Sequence, residues 1–468
     1  MPERFQSLRG FHDQLPGRTE HWRRFETLAH ALFSLYGFRE IRPPHLEPTE
    51  LFVRSVGELT DIVGKEMFTL KAGDESISLR PEITASVCRA YIQHGLDRRG
   101  ANRLYYIGPA FRRERPQKGR LRQFHQAGVE VLGESDPEAD VEVIVLGARL
   151  VERLGIEGFE LRVNSLGDAA CRPRYREALV AALRDRADRL CEDCRSRIER
   201  NPLRVLDCKR DSCQQLLEEV PTGLEFLCQD CERHFERVRE GLEQLEVKAT
   251  VDARLVRGLD YYVRTAFEIA TAGLGAQNAV LGGGRYDGLI RDLGGGDVSG
   301  LGWACGIERL LLAAALTEHD NPPKLDAFVV TLGPRARERA LGLVEGLRAR
   351  NVATMWDTAG HGLGGQMKRA GRSGAAYAVL IGDDELARGT VTLKDLTTGE
   401  QREAPLGLDA LAAELTRARG ADARASDPRE RPLERAGRRA TGNRQTPATP
   451  PTSGKPRGSA RRENDDGQ

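Results

Sequence analysis

The sequence predicts an α+β fold: an antiparallel sheet interrupted by a mostly helical insertion, followed by a small α/β unit and a disordered tail. Three observations carry this expectation. Residues 104–111 and 123–132 are strand-like runs flanking a charged loop broken by Pro116 and Gly119, the pattern of an antiparallel hairpin with a long tip. From about 168 to 247 the texture turns helical and highly charged, and Cys191, Cys194, Cys208, Cys213, Cys228 and Cys231 gather there. Beyond residue 326 the pattern becomes strand, helix, strand, helix, strand, as in a compact α/β unit ending near 418.

Composition sets the outer limits. A chain of 468 residues suits two or three domains with ample core. With 40% apolar and 30% charged residues and a net charge of +1, global electrostatics announce no nucleic-acid partner, so any basic surface must be local. The N-terminal stretch lacks the apolar segment of a signal peptide, and no run of about 18 apolar residues suggests a membrane span. Nine cysteines without an export signal point to reduced thiols in the cytoplasm.

Taken in order, residues 4–16 form a turn-rich entry, and 20–36 a helix whose Trp22, Phe25, Leu28, Leu32, Phe33 and Leu35 follow a 3.6-residue period, with Gly37 at its end. A strand running into a proline-terminated bend follows, then strands over 60–72 and 76–80, then a helix from Pro81 to His94. Glu82 and Thr84 at that helix start read equally well as caps or as ligand groups. After the hairpin come a helix over 136–154, a strand over 158–164 and the insertion over 168–247. Strand-like sequence resumes at 253–270; 281–290 reads as a glycine-rich turn carrying Arg285, Tyr286 and Asp287; and 299–305 is a short strand entering a helix. No Lys-Ser/Thr follows the glycines, which excludes a P-loop. Residues 318–325 are a linker. The 421–468 tail, with eleven basic and seven acidic side chains and almost no large apolar ones, cannot bury enough surface to fold. The resulting units are 1–167 and 248–317 as one domain in two parts, 168–247 inserted into it, 326–418, and the tail.

The hairpin is the most informative stretch. Its tip, 112–122, holds six basic residues and one acid, Glu114. On the returning strand a period of two puts Phe124, Gln126, Gly128 and Glu130 on one face and Ala127, Val129 and Val131 on the other. An aromatic plate, an amide, a gap and a carboxylate make a floor for a small zwitterion, with phosphates and nucleic acid above it. Arg112, Arg257 and Arg309 each adjoin an apolar element, where an unpaired charge is costly; such guanidiniums clamp carboxylates or phosphates, or else form internal salt bridges. Arg309 lies in a first helical turn, where the helix dipole disfavours a cation unless an anion sits between them. Together these features suggest a nucleoside triphosphate bound without a P-loop.

FRRE (111–114) followed by a loop and RQF (122–124) resembles motif 2 of the class II aminoacyl-tRNA synthetases; GIERLLL (306–312) resembles motif 3, and 20–50 the weaker motif 1. RGFHDQLP (9–16), RPEITA (80–85), LVRGLDYY (255–262) and GGGRYDGL (282–289) resemble the motifs of the histidyl-tRNA synthetase family, in the correct order over about 4–418. The resemblance implies an antiparallel-sheet class II catalytic domain, an anticodon-binding domain at 326–418, and a homodimer joined through motif 1. It implies that L-histidine, ATP with Mg²⁺, and tRNA(His) are the ligands. By position, Arg112 would bind the α-phosphate, Glu114 the adenine edge, and Phe124 and Arg309 the two sides of the adenine, with Arg309 reaching the γ-phosphate. Glu82, Thr84 and Gln126 would hold the histidine amino group; Glu130, Tyr261 and Tyr262 would line the imidazole pocket, and Tyr286 would help close it. Arg257 would neutralise charge between the histidine carboxylate and the α-phosphate, and Arg115 and Gln117 would meet the acceptor end of the tRNA. Arg120 and Lys118 suit phosphate contacts.

Two departures stand out. Ile83 replaces the glycine of many relatives and would narrow the pocket. Cys191, Cys194, Cys228 and Cys231 have zinc-knuckle spacing within each pair, while Cys208 and Cys213 leave the ligand set open; a structural zinc site and a set of reduced thiols are both consistent with them. The alternative function is that of a non-catalytic relative such as the regulatory subunit of ATP phosphoribosyltransferase, which would be expected to lack the anticodon-binding domain and motif residues.

Overall fold

The computed structural model describes residues 4–57, 60, 62–100, 102–117, 119–272, 274, 278–314 and 325–426, with side chains to 417. Eight strands form the main sheet, in the order Arg39–Glu40, Arg103–Phe111, Gln123–Leu132, Gly300–Gly306, Ala279–Arg285, Val263–Ala270, Glu160–Ser165, Thr250–Val251. The six inner strands run antiparallel, and each short edge strand lies parallel to its neighbour.

One face of this sheet is apolar because the strands alternate. Ala127, Val129, Val131, Trp303 and Phe267 meet Phe25, Leu28, Leu32 and Phe33 of the helix Arg18–Leu35 and Ile144, Leu146 and Val151 of the helix Pro137–Arg153. Each such fully buried Leu, Val or Phe contributes about 1.5–3 kcal/mol, which makes this layer the main store of stability. The first helix is set by the Gly17 amide donating to Glu20 at 2.6 Å and ends at Gly37, whose φ of 77° suits a residue without a side chain. A three-stranded sheet, Leu46–Pro48, Glu75–Leu79 and Phe68–Ala72, stands beside the main one. Leu325–Leu332, Thr354–Trp356 and Ala375–Gly382 run parallel in a five-stranded sheet completed by the antiparallel pair Thr390–Asp395 and Gln401–Pro405.

Several expectations change. Residues 62–66 form one helical turn rather than strand, and Thr49–Val56 is a helix. Strand begins only at Val263; 253–262 is loop, held in part by Asn164, whose amide donates to the carbonyls of Ala253 and Leu255 at 3.3 and 2.9 Å. The glycines Gly282, Gly283 and Gly284 are not a turn but the middle of the strand Ala279–Arg285. The insertion is helical, and Leu179, Leu183, Ile198, Val205 and Leu217 form a core of its own. Its last helix, Gln229–Gln244, instead sends Phe235, Val238 and Leu242 into the core of the main sheet. The final helix runs from Leu408 to Ser426, past the expected start of the tail at 421; the tail from 427 and the linker at 318–324 lie outside the described residues.

Behind the glycine strand lies a buried ion pair. Arg285 Nε donates to both Asp140 carboxylate oxygens at 3.0 and 2.8 Å, its other nitrogens donate to the carbonyls of Glu134 and Asp136 at 2.9 and 3.0 Å, and both side chains are 0% exposed. His234 of the last insertion helix stands 3.3 Å from Asp140. The pair thus joins strand, helix and insertion, and removing one partner strands the other charge. Asp140→Ala is expected to lower stability in urea unfolding by about 3–5 kcal/mol, whereas the apolar double variant Asp140→Leu with Arg285→Met loses clearly less.

Candidate active site

The second face of the sheet carries the polar groups, and strand register orders them in rows. Phe124 lies opposite Ala110; Gln126 opposite Gly108 and Gly306; Gly128 opposite Tyr106 and Ala304, which faces Gly282, itself opposite Glu268; Glu130 opposite Gly302, which faces Gly284. Six residues of strand span about 20 Å from Phe124 to Glu130. One pocket over this face is lined by Glu82, Thr84, Arg112, Glu114, Phe124, Gln126, Arg257, Tyr261, Tyr262 and Arg309, all of them singled out in the sequence.

The upper row is cationic and aromatic. The Arg112 guanidinium stands 5.2 Å from the centre of the Phe124 ring and donates to the Pro81 carbonyl at 2.9 Å. Arg309 donates to the Ala279 carbonyl at 2.9 Å, and partial burial lowers its pKa, beside the cationic Arg120. Glu114 pairs with Arg120 at 2.9 Å. Arg115 and Gln117 are exposed on the hairpin tip, away from the pocket lining, and Gly10 of the entry segment accepts the amides of Arg122 and Gln123 beneath it.

The middle row belongs to Arg257. Its guanidinium pairs with Glu268 at 2.7 Å and lies across Gly282, where any Cβ would collide with it. Of the three arginines read as clamps or salt bridges, this one forms an internal salt bridge and still lines the pocket. Its Nε and the Gln126 Oε1 are buried without a hydrogen-bond partner among the described residues, a costly condition that a bound polar ligand removes.

The lower row is acidic and has hydroxyl partners. Glu130, 1% exposed, accepts from Thr84 Oγ1 at 2.7 Å and from the Tyr286 hydroxyl. It and Tyr286 lie beneath the pocket lining rather than in it. Burial pushes its pKa up to about 8, the two hydroxyls opposing part of that rise. Glu82 accepts the amides of Thr84 and Ala85 at 2.7 and 2.9 Å, so it caps a helix and lines the pocket at once; burial raises its pKa too. Ile83 turns away into a cluster with Val87, Tyr262 and Tyr286 and does not narrow the pocket.

Glu308 was missed in the sequence. Its carboxylate takes the His125 amide at 3.0 Å and ring nitrogen at 2.9 Å, which locks the helix bearing Arg309 to the hairpin. Its place next to Arg309 in GIER was the available signal. Cys191, Cys194, Cys228 and Cys231 do not form one cluster: the first two stand with Cys208 and Cys213, the last two with Cys171 and Asp168.

An antiparallel sheet with this hairpin, this strand-to-helix arginine and a pocket between them defines the class II aminoacyl-tRNA synthetase catalytic domain. The histidyl-tRNA synthetase family model matches residues 10–310, and an anticodon binding domain model matches 326–417. The chain belongs to the histidyl-tRNA synthetase family. It is 49% identical over 402 residues to the histidine–tRNA ligase of Moorella thermoacetica, covering 85% of this chain and 95% of that one. It is 47% identical over 411 residues to that of Geobacter sulfurreducens, covering 87% and 99%. The crystal structure of apo S. aureus histidyl-tRNA synthetase superposes with a TM-score of 0.73 at 37% identity, over 88% of this chain and all (100%) of that one. A Bacillus halodurans C chain described as an ATP phosphoribosyltransferase regulatory subunit/histidyl-tRNA synthetase, at 23% identity and a TM-score of 0.60, shares the fold alone.

Two tests follow from this geometry. Gly282→Ala is expected to leave the circular dichroism spectrum intact, since alanine suits a strand better than glycine, while displacing Arg257 and lowering turnover by roughly 100-fold or more. Glu130 titrates near 8 when folded against an ordinary 4.5 when the chain is unfolded, so the folded state holds the extra proton between these values. Ligand-free stability therefore falls as pH rises from about 4.5 to 8. In Glu130→Gln this component of the slope disappears, measured as a flatter dependence of Tm on pH than in the parent.

Proposed function

We propose that the protein is a histidine–tRNA ligase: it joins L-histidine to ATP as histidyl-adenylate with release of pyrophosphate, then passes histidine to the 3′ end of tRNA(His). The observation that carries this reading is the order of the rows: cations and an aromatic plate above, Arg257 in the middle, buried carboxylates below. ATP lies with its adenine on Phe124, its α-phosphate at Arg112 and its γ-phosphate at Arg309. Glu114, whose partner is Arg120, faces the adenine edge. Glu82, Thr84 and the unpaired Gln126 oxygen receive the amino group of histidine, while Glu130, held by Tyr286, and the rings of Tyr261 and Tyr262 enclose the imidazole. An analogue without ring nitrogens would leave Glu130 buried with only its Thr84 and Tyr286 hydroxyl partners, which gives the site its selectivity.

The reacting carboxylate and phosphate are both anions. Arg257 stands between the two ends, already oriented by Glu268, so the charge needed in the transition state is in place before reaction. Attack of a carboxylate oxygen on the α-phosphorus forms the mixed anhydride and breaks the bond to pyrophosphate. Glu114 and Glu308 in the pocket lining would hold the water shell of a Mg²⁺ brought in with ATP, which would supply positive charge as pyrophosphate departs. A ribose hydroxyl of the tRNA end, met by Arg115 and Gln117, then attacks the adenylate carbonyl, losing its proton as the ester forms and the anhydride bond breaks to release AMP. Residues 326–418 read the anticodon.

A second copy of the chain fits along 20–50. The edge strand Arg39–Glu40 is exposed, and Leu35 and Leu46 are 68% and 45% exposed beside it. Free thiols and the absence, among the described residues, of any helix suited to crossing a membrane favour the cytoplasm. The regulatory-subunit alternative loses ground because all three arginines line the pocket and the anticodon binding domain model is matched.

The test is histidine-dependent exchange of labelled pyrophosphate into ATP. Exchange with histidine, and with no other amino acid at comparable rate, is expected; its absence in folded protein refutes the assignment. Arg257→Ala should lower exchange by about 100-fold or more while ATP affinity shifts only a few-fold.

A further inference from the structure

The insertion contains two groups of metal-ligating side chains that the catalytic reading does not use. Cys191, Cys194, Cys208 and Cys213 form one; Asp168, Cys171, Cys228 and Cys231 form the other; within each, the ligand atoms lie within 4.8 Å of one another. No two cysteines are joined by a disulfide. The sulfurs of Cys191 and Cys208 are 4.0 Å apart, and the Asp168 Oδ1 lies 3.3 Å from the Cys171 sulfur and 4.0 Å from that of Cys228. Tetrahedral zinc with Zn–S bonds of about 2.3 Å requires sulfurs about 3.8 Å apart, so the spacing suits coordination.

Both groups are built alike. Cys191 and Cys228 each occupy the position just before a helix, Glu192–Arg200 and Gln229–Gln244, and the second cysteine of each pair lies in its first turn. In each, a backbone amide points at a facing sulfur: Cys191 N at 3.3 Å from Cys213 Sγ, Cys228 N at 3.2 Å from Cys171 Sγ. Amides placed so are the outer hydrogen bonds that fix metal-bound thiolates. Cys171, Cys194, Cys208, Cys213 and Cys231 are buried, which removes the thiols from water without giving their sulfurs strong partners unless a cation joins them.

We propose that the insertion holds two zinc ions, one in the four-cysteine group and one in the group of Asp168 with Cys171, Cys228 and Cys231. The soft donors select zinc over Mg²⁺ or Ca²⁺, and binding releases the protons of the thiols concerned. The first ion staples a helical unit of about 50 residues, a size at which a hydrophobic core alone is marginal; Cys194, Cys208 and Cys213 stand inside that core. The second sits at the root of the insertion. Asp168 also accepts from Arg264 at 3.4 Å, the Arg264 amide donates to the Gly167 carbonyl at 2.8 Å, and Arg172, next to Cys171, donates to the Tyr262 carbonyl at 3.3 Å. Arg264 adopts a φ of 48°, a conformation that these contacts hold against its preference. The second ion is therefore a positioning element for Tyr262 in the pocket. This last consequence rests on the proposed histidine site; the metal content does not.

The test uses the untagged full chain, purified anaerobically from zinc-supplemented culture. Elemental analysis is expected to find two zinc ions per chain, falling to one in Cys213→Ser and one in Cys231→Ser. Cobalt titration of the chelator-treated full chain, which needs no variant, should give thiolate-to-metal absorption that saturates at two equivalents. One or no metal ion per chain, or disulfides within these groups in metal-free protein, overturns the proposal. For positioning, Cys231→Ser should raise KM for histidine in pyrophosphate exchange by roughly tenfold while Cys213→Ser leaves it near the parent value. Equal effects of the two variants refute that role whatever the metal count.

Discussion

The ligand face of this sheet works because large side chains lie flat on it, and they can lie flat only where neighbouring strands have no Cβ. Arg257 rests on Gly282, Glu130 against Gly302, Tyr286 against Gly300 and Tyr106 on Gly128. The same alternation that gives the other face Val129, Trp303 and Phe267 gives this one glycine. Glycine in a strand interior costs roughly 0.5–1 kcal/mol each in chain entropy and lost packing. The apolar layer on the opposite face absorbs that loss, so the functional face depends on the core directly behind it.

Charge placement follows from the floor. Two arginine systems differ in what they are for. Arg285 is sealed against Asp140 with no access to water, and its role ends in holding strand, helix and insertion together. Arg257, which reaches across Gly282 from its loop and is partly exposed, has one carboxylate partner and an idle nitrogen, so it is oriented yet not satisfied. Glu130 is the complement: a buried carboxylate with hydroxyl partners and a raised pKa. Hydroxyls can hold its geometry in either protonation state, whereas a salt bridge would have fixed the charge. The pocket is thus held in shape by its hydrogen bonds and unfinished in electrostatics, with buried polar atoms of Arg257 and Gln126 that lack partners among the described residues.

How much of this was legible depends on the range of the signal. Alternation in 123–132 placed Phe124, Gln126, Gly128 and Glu130 on one face because a period of two is local and the structure keeps it. Helices with long apolar periods were found to within a few residues. Gly282–Gly284 were misread as a turn because local composition says turn, while the reason for glycine is Arg257 and Trp303 arriving from elsewhere in the chain. The loop 253–262 was misread as strand for the converse reason: its aromatic residues, Tyr261 and Tyr262, line a pocket instead of a ladder. Ile83 looked like an obstacle because sequence shows proximity to Glu82 but not direction.

The cysteines show the same limit most clearly. Spacing joined Cys191 with Cys194 and Cys228 with Cys231, each pair about one helical turn apart and together in the structure. It could not say which pair meets which, and it gave no reason to count an aspartate. The fold answers both questions by topology. The chain leaves the sheet at Ser165, so Asp168 and Cys171 are fixed at the root, and the helix Gln229–Gln244 must begin beside that root to bring Phe235 and Leu242 back into the main core. Cys228 and Cys231, at its first turn, therefore face Asp168 and Cys171, leaving the intervening cysteines to close on each other. Two separate clusters are the outcome that the packing of one returning helix requires.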